Sequence, residues 1–394
     1  MNASPLMSES LRSLFMLDEN IHFLNHGSFG ACPRPVFEVY QAWQRRLERQ
    51  PVLFLGREMD ALDRDVRQSM GVYLNTSSQN LVFIPNATHG VNIVARSLDL
   101  KTGDEVLTSD HEYGACDYTW EFNCGKSGAH YIHQLIPLPI RSSAEVVDQF
   151  WQGVTPRTRL IFLSHITSPT ALRMPVEAIC AKARQAGIAT LIDGAHAPGQ
   201  IDLDLDALGA DFYVGNAHKW MLCPKGAGFL YVRSEMQPRV EPLVVSWGYH
   251  AQPQDSRGSQ FLDRLGWTGT HDPSAWLSIP SAIQFMQAQH WDQVRQVCHT
   301  LLRTSIQRIC ELVQMDPLYP LESNLYHQMG IAPLPITTDI AVLKTCLYAE
   351  YHVEVPLIDW NRNKFVRISV QGYNTQADLE ALHAGLQKGL EINA

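Results

Sequence analysis

Two residues of this 394-residue chain sit where chemistry is easiest to imagine: Asp193 and Lys219. Asp193 closes the apolar run Ile188-Ala189-Thr190-Leu191-Ile192 and opens Gly194-Ala195-His196-Ala197-Pro198-Gly199-Gln200. Lys219 follows Gly215-Asn216-Ala217-His218 and precedes Trp220-Met221-Leu222. An amine attacks an aldehyde only when unprotonated, and apolar or cationic neighbours favour that state. A mid-chain lysine is more often a solvated surface residue. His218 beside it and a carboxylate at the end of an upstream strand turn the reading toward function.

The elements around these residues place other polar groups on the same edge. Residues 80–193 repeat a short apolar strand, a polar loop and a helix, which predicts a mainly parallel sheet with helices on both faces. Ligands of such sheets bind beyond the carboxyl ends of the strands. Thr88, Tyr113, Ser168 and Asp193 all fall on strand ends or the loops after them, so they are expected to face one crevice. Asn86 is a good N-cap for a helix through Leu98, and a helix N-terminus with free N–H groups receives anions. Upstream, Asn25-His26-Gly27-Ser28-Phe29-Gly30 reads as a tight turn able to bring backbone close to a ligand. Residues 34–74 read as helix with a break near Pro51, residues 131–138 as a strand, and residues 234–266 as loop-rich. Beyond residue 275, long helices from near Ser274 and Trp291 lead into short strands and helices, and a final helix opens with Thr375 and Asp378 at capping-box spacing.

Pyridoxal phosphate asks four things of a protein: a lysine amine, a carboxylate for the ring nitrogen, a phosphate cradle and a flat face for stacking. Each has a candidate here, and their order along the chain is more telling than any one alone. On Leu24-Asn25-His26-Gly27-Ser28-Phe29-Gly30, Asp193-Gly194-Ala195-His196, Asn216-Ala217-His218-Lys219-Trp220, Gly269-Thr270-His271-Asp272 and Arg367-Ile368-Ser369, the chain resembles the class V aminotransferase family of fold-type I pyridoxal-phosphate enzymes. The isopenicillin N epimerase-like branch is the nearest in pattern, from Leu24 to about Leu390.

The resemblance implies an α/β fold-type I architecture: a large domain over residues 31–275, a smaller α/β C-terminal domain over 276–394, and an N-terminal segment, 1–30, packing with the small domain and bordering the site. It implies Lys219 as the lysine that bonds the cofactor, Asp193 as partner of the ring nitrogen, and His196 with Ser168 near the ring hydroxyl. Tyr113 would stack on the ring, and Ala87, Thr88, Asn216 and His218 would bind phosphate. Gly269 and Thr270 would reach the cofactor phosphate of a second subunit in a homodimer. Arg367 would hold a substrate carboxylate, which suits its two-pronged donor geometry, and Asn25 and His26 would border an amino-acid substrate. Two departures stand out. Ala171 occupies a place where many members have glycine, and residues 351–356 lack the loop cysteine of cysteine desulfurases. The expected reaction is at an amino-acid α-carbon, epimerisation first, with C–S lyase chemistry or transamination as alternatives, and His26 or His111 as candidates for a second acid.

Competing classes find less support. Sixteen histidines could serve a metal-dependent hydrolase, yet no HxH or HExxH spacing is present and no metal is expected. Gly194–Gln200 lacks the lysine and hydroxyl of a phosphate-binding P-loop. With a net charge of −9 and no basic tail, nucleic acid and anionic membrane are not expected partners. Eight cysteines without a CxxC pair fit a reducing cytoplasm. The N-terminus does not read as a secretory signal, and no apolar run approaches the ~18 residues of a membrane span.

Overall fold

The computed structural model describes residues 11–252 and 256–392. Near the start of the described chain, Phe15 bridges to Pro33. Twelve strands are described: β1 His22–Phe23, β2 Leu81–Ile84, β3 Glu105–Ser109, β4 His130–Gln134, β5 Thr158–Ser164, β6 Ala189–Gly194, β7 Phe212–Asn216, β8 Gly228–Val232, β9 Met329–Leu334, β10 Val353–Glu354, β11 Leu357–Trp360 and β12 Asn363–Ser369. The longer helices are α1 Arg34–Arg49, α2 Met59–Leu74, α3 Ala87–Ser97, α4 Gly114–Ser127, α5 Ser143–Trp151, α6 Val176–Ala186, α7 Ile279–Ala288, α8 Trp291–Val313, α9 Ile340–Tyr351 and α10 Gln376–Ile392.

The main sheet runs β2-β8-β7-β6-β5-β3-β4 and is parallel except that β8 pairs antiparallel with both its neighbours. Its strands are apolar on both sides because both sides are covered. On β5, Leu160 and Phe162 enter one core while Ile161 and Leu163 enter the other; on β7, Phe212 and Val214 oppose Tyr213 in the same way. That two-sided burial is why these strands read as unbroken apolar runs rather than alternating ones. A separate antiparallel sheet, β11-β12-β9, is backed by α8, and α9 packs on α10. The N-terminal β1 pairs parallel with β10 beside this smaller sheet, and α7 packs on α1 and α2 of the larger body.

Three details differ from the sequence reading. Pro51 restarts a helix at once, and a π-helical turn over Phe54–Glu58 joins it to α2, so the break is one of geometry and not of direction. The strand read over 131–138 stops at Gln134, before Pro137. The region read as loop-rich holds 3-10 turns at Ser234–Arg239 and Trp247–His250 and a helix at Gln260–Gly266. The capping spacing at the last helix is realised: the Thr375 N–H and hydroxyl both donate to Asp378 Oδ2, at 2.8 and 3.4 Å.

Candidate active site

β5, β6 and β7 end side by side. Asp193 pairs in register with Ser164 on one side and Val214 on the other, and β7 then turns through Asn216 to Lys219. Two glycines let neighbouring segments press on that turn. A Cβ on Gly30 (φ +72°) would lie 2.2 Å from His218 O, and one on Gly199 (φ +89°) 2.2 Å from Trp220 O. Both the N-terminal turn and the loop after Asp193 therefore pack directly on the lysine backbone.

The hydrogen bonds around Lys219 have a fixed direction. Trp220 Nε1–H, which can only donate, gives its proton to His196 Nδ1 at 3.3 Å. The neutral His196 ring then carries its proton on Nε2, which lies 3.2 Å from Lys219 Nζ. An amine facing an N–H donor must accept, so this arrangement selects the unprotonated lysine. The electrostatics agree: burial lowers the Lys219 amine to about 8, with Asp193 opposing and Arg367 reinforcing that shift. Burial, then Lys219 and Arg367, holds His196 far below its ordinary value.

Asp193 is only 3% exposed. Its Oδ1 accepts from Ala195 N–H at 2.8 Å and its Oδ2 from the Cys116 thiol at 3.6 Å, so its contacts are a backbone N–H and a weak donor rather than a cation. Burial raises its carboxyl, and the Ala195 N–H and Lys219 oppose the rise. An anion buried this way is costly unless something positive meets it. Beside it, Glu112 takes three bonds, from Ser109 Oγ (2.6 Å), Ser164 N–H (2.8 Å) and Ser164 Oγ (2.6 Å), and burial pushes its carboxyl up to about 8. It ties the loop carrying Tyr113 to the end of β5.

At the start of α3, Asn216 Oδ1 accepts from Ala87 N–H at 2.8 Å and Asn86 Oδ1 from His89 N–H at 2.9 Å. The Thr88 N–H between them meets no acceptor among the described residues. Ala87 and Asn216 thus engage each other, so Asn216 braces the helix end rather than offering its carboxamide oxygen outward. His218 Nδ1–H donates to Ala227 O at 2.9 Å, and burial lowers its ring to about 4. Its remaining nitrogen is an acceptor unless an anion draws a proton onto it.

Arg367, on β12 of the smaller sheet, reaches across to the loop after β5. Its Nη1 donates to Ser168 O (2.5 Å) and Ser168 Oγ (3.3 Å), its Nη2 to Ser28 Oγ (3.2 Å), and its Nε is buried without a partner. Burial lowers it to about 10, which leaves it cationic at neutral pH. The same loop contains Ala171, buried at φ +53°, a left-handed conformation that explains why glycine suits this place.

Lys219, Asp193, His196, Ser168 and Arg367 are thus linked in one region. Tyr113 stands half-exposed at the N-cap of α4. Thr270 is exposed in the bend after Gly269 (φ +116°). The expectation that His26 borders a substrate needs correction. It is fully buried beneath the lysine, with Nε2 donating to Lys219 O (3.1 Å) and Nδ1 accepting from the Tyr373 hydroxyl (3.0 Å). His111 is equally occupied, between Thr170 Oγ1 and Ile136 O at 2.7 Å each. Neither presents a free nitrogen for a second acid. Among residues the sequence reading passed over, Trp220 and Ser28 matter most; both sit inside motifs already singled out, but nothing in their type announced the contact. No group of three or more metal-ligating side chains occurs among the described residues.

Comparison with known proteins places this geometry. The profile of the family described as aminotransferase class-V matches residues 36–382. The chain is 35% identical to isopenicillin N epimerase of Amycolatopsis lactamdurans, over 96% of this chain and 97% of that protein. It is 28% identical to the probable chloroplastic L-cysteine desulfhydrase of Arabidopsis thaliana, over 93% and 82% respectively. Among solved structures, a C-DES variant with glycine covalently linked to its PLP cofactor superimposes with a TM-score of 0.81 at 20% identity, covering 98% of this chain and 99% of that one.

Proposed function

The chain belongs to the class-V aminotransferase family of pyridoxal-phosphate enzymes, and from that premise we propose that it acts at the α-carbon of an amino-acid substrate, with isopenicillin N epimerase-like inversion as its reaction. When bound, the cofactor supplies an aldehyde for the substrate amine and a ring that draws electrons from the α-carbon. The residues present fit it. The one observation that carries the reading is the Trp220–His196–Lys219 chain, which favours the unprotonated form of an amine at the end of the central strands.

In this reading Lys219 would hold the cofactor, and its Nζ would take the substrate α-proton; inversion then requires a proton delivered to the opposite face by a donor other than Nζ. Asp193 supplies the negative charge that a protonated ring nitrogen neutralises, resolving its burial without a cation. His196 and Ser168 would hold the ring hydroxyl, and Tyr113 would cover the ring face. The Thr88 N–H and hydroxyl receive phosphate, on a helix end braced by Ala87 and Asn216, with His218 joining when the phosphate charge protonates it. Arg367 takes the substrate carboxylate on its unfilled Nε. Gly269 and Thr270, which are not buried in their own chain, would serve the phosphate of a second copy in a homodimer. The domain division is 31–275 and 276–394, with the N-terminal segment, described from residue 11 to 30, joined to the smaller part. Eight unpaired cysteines support a reducing, cytoplasmic compartment.

β-Elimination from a sulfur amino acid is the second reading, favoured by the similarity to L-cysteine desulfhydrase. A persulfide route is not, because residues 351–356 lack cysteine and Cys346 is buried on α9. Incubating the holoenzyme with isopenicillin N and a panel of L-amino acids in D₂O decides between them. α-Deuteration with inversion is expected; sulfide or keto acid without inversion moves the assignment to lyase or transaminase. Failure of every substrate to exchange its α-proton sinks the reading.

A further inference from the structure

The Arg367 guanidinium is aimed by a chain of side chains that ends on the small sheet. Glu354 Oε1 accepts from Asn25 Nδ2 at 3.0 Å; Asn25 Oδ1 accepts from the Ser28 hydroxyl at 2.5 Å; Ser28 Oγ accepts from Arg367 Nη2 at 3.2 Å. The direction of each bond follows from the one before it. A carboxylate only accepts, so the Asn25 amide must turn its NH₂ to Glu354 and its oxygen to Ser28. Ser28 has one proton, which that oxygen takes, and its lone pairs are then left for the arginine. The backbone holds the relay in place: Asn25 bridges to Ser369, two residues from Arg367, and Leu24 N–H donates to Glu354 O at 3.0 Å. Ser168 takes both Nη1 protons and Ser28 one of the two on Nη2, so the Nε–H and the second Nη2–H are the donors left over.

We propose that Ser28, Asn25 and Glu354 are positioning residues that set the fork of Arg367 for the substrate carboxylate, with Glu354 fixing the polarity of the relay. Asn25 then acts through Ser28 rather than touching substrate. The inference rests on Arg367 being the carboxylate anchor. It also predicts a polarity swap: in Asn25→Asp the new carboxylate faces Glu354 and the relay breaks, whereas adding Glu354→Gln gives residue 25 a donor to accept from and restores the order of bonds.

The test uses holoenzyme variants titrated with L-alanine, an amino acid whose only carboxylate is the α one. Apparent Kd is read from the visible cofactor band, and the α-proton exchange rate at saturation by NMR in D₂O. Ser28→Ala and Asn25→Asp are expected to raise Kd about fivefold to tenfold, as loss of one charge-assisted bond does, with the saturated exchange rate within about twofold. The Asn25→Asp/Glu354→Gln pair is expected to return within about twofold of wild type, and Glu354→Gln alone to cost less than about threefold. An unchanged Kd in Ser28→Ala, or a double variant no better than Asn25→Asp, overturns the relay. Should Asn25→Asp fail to hold cofactor, Ser28→Ala still decides. If Arg367→Lys also leaves Kd unchanged, or wild type shows no response to L-alanine, the anchor reading itself fails, a result distinct from failure of the relay.

Discussion

The lysine end and the arginine end of this site are built in opposite ways. Asp193, His196, Lys219 and Trp220 come from two adjacent strand ends of the large sheet and the loops leaving them, locked by glycines that admit no side chain. Arg367, Ser168, Ser28, Asn25 and Glu354 come from four segments that meet only when the smaller sheet and the N-terminal strand are in place. In the proposed function the first end serves chemistry and the second recognition. Damage to the first should therefore fall on the rate, and damage to the second on binding.

The largest contrast lies in two single substitutions. Lys219→Ala removes the group proposed to take the α-proton, and the exchange rate at saturation should fall by about 10⁴ or more, as for loss of a general base that also bonds the cofactor. Arg367→Lys keeps charge but loses the fork; KM should rise about tenfold to a hundredfold, with a smaller change in the saturated rate. Steady-state kinetics of the two proteins would break the contrast if Arg367→Lys lowered the saturated rate as much as Lys219→Ala does.

Trp220→Phe sharpens the account of the lysine end. Without the indole donor, His196 is free to carry its proton on Nδ1 and accept from Lys219 at Nε2, which favours the ammonium. The Lys219 midpoint should then rise by about half to one pH unit, the worth of one neutral hydrogen bond. A midpoint unchanged in this variant would show that burial alone sets it.

The smallest effect is expected where the two ends share a loop. Ala171 holds a left-handed turn between Ser168, which grips Arg367, and the Thr167 and Thr170 hydroxyls, which bond each other at 2.7 Å. Ala171→Gly relieves about 1–2 kcal/mol of strain but gives up a buried methyl of about 0.8 kcal/mol and adds unfolded-state entropy of similar size. These nearly cancel, so denaturant unfolding should shift by under about 0.5 kcal/mol. A loss of 2 kcal/mol would mean that the turn is not strained.

What the sequence disclosed follows the same division. Asp193 and Lys219 stand at the ends of two-sided apolar strands, a pattern short enough to read locally, and the parallel sheet follows from the repeat that contains them. Arg367 was legible only through resemblance, since an arginine in a short strand says nothing about what it faces. Ser28, Asn25 and Glu354 form bonds across more than 300 residues of chain, which no local pattern encodes. β9 escaped because Gly330 and Pro333 interrupt its run, two residue types that usually mark a strand's end or edge. The burial of His26 was not legible: its sequence neighbours do not show that it packs against Tyr373 and the Lys219 carbonyl.

The central claim is that the site loosens the hold of Lys219 on its proton, bringing the neutral amine within reach of neutral pH. It is tested most directly in the cofactor-free protein, by following covalent labelling of Lys219 with a small amine-specific reagent against pH, the site located by mass spectrometry. Reactivity follows the unprotonated fraction, which grows as pH rises through the pKa. Because burial lowers that pKa, labelling should rise with a midpoint near 8. A midpoint near the ordinary lysine value of about 10.4 would contradict the account.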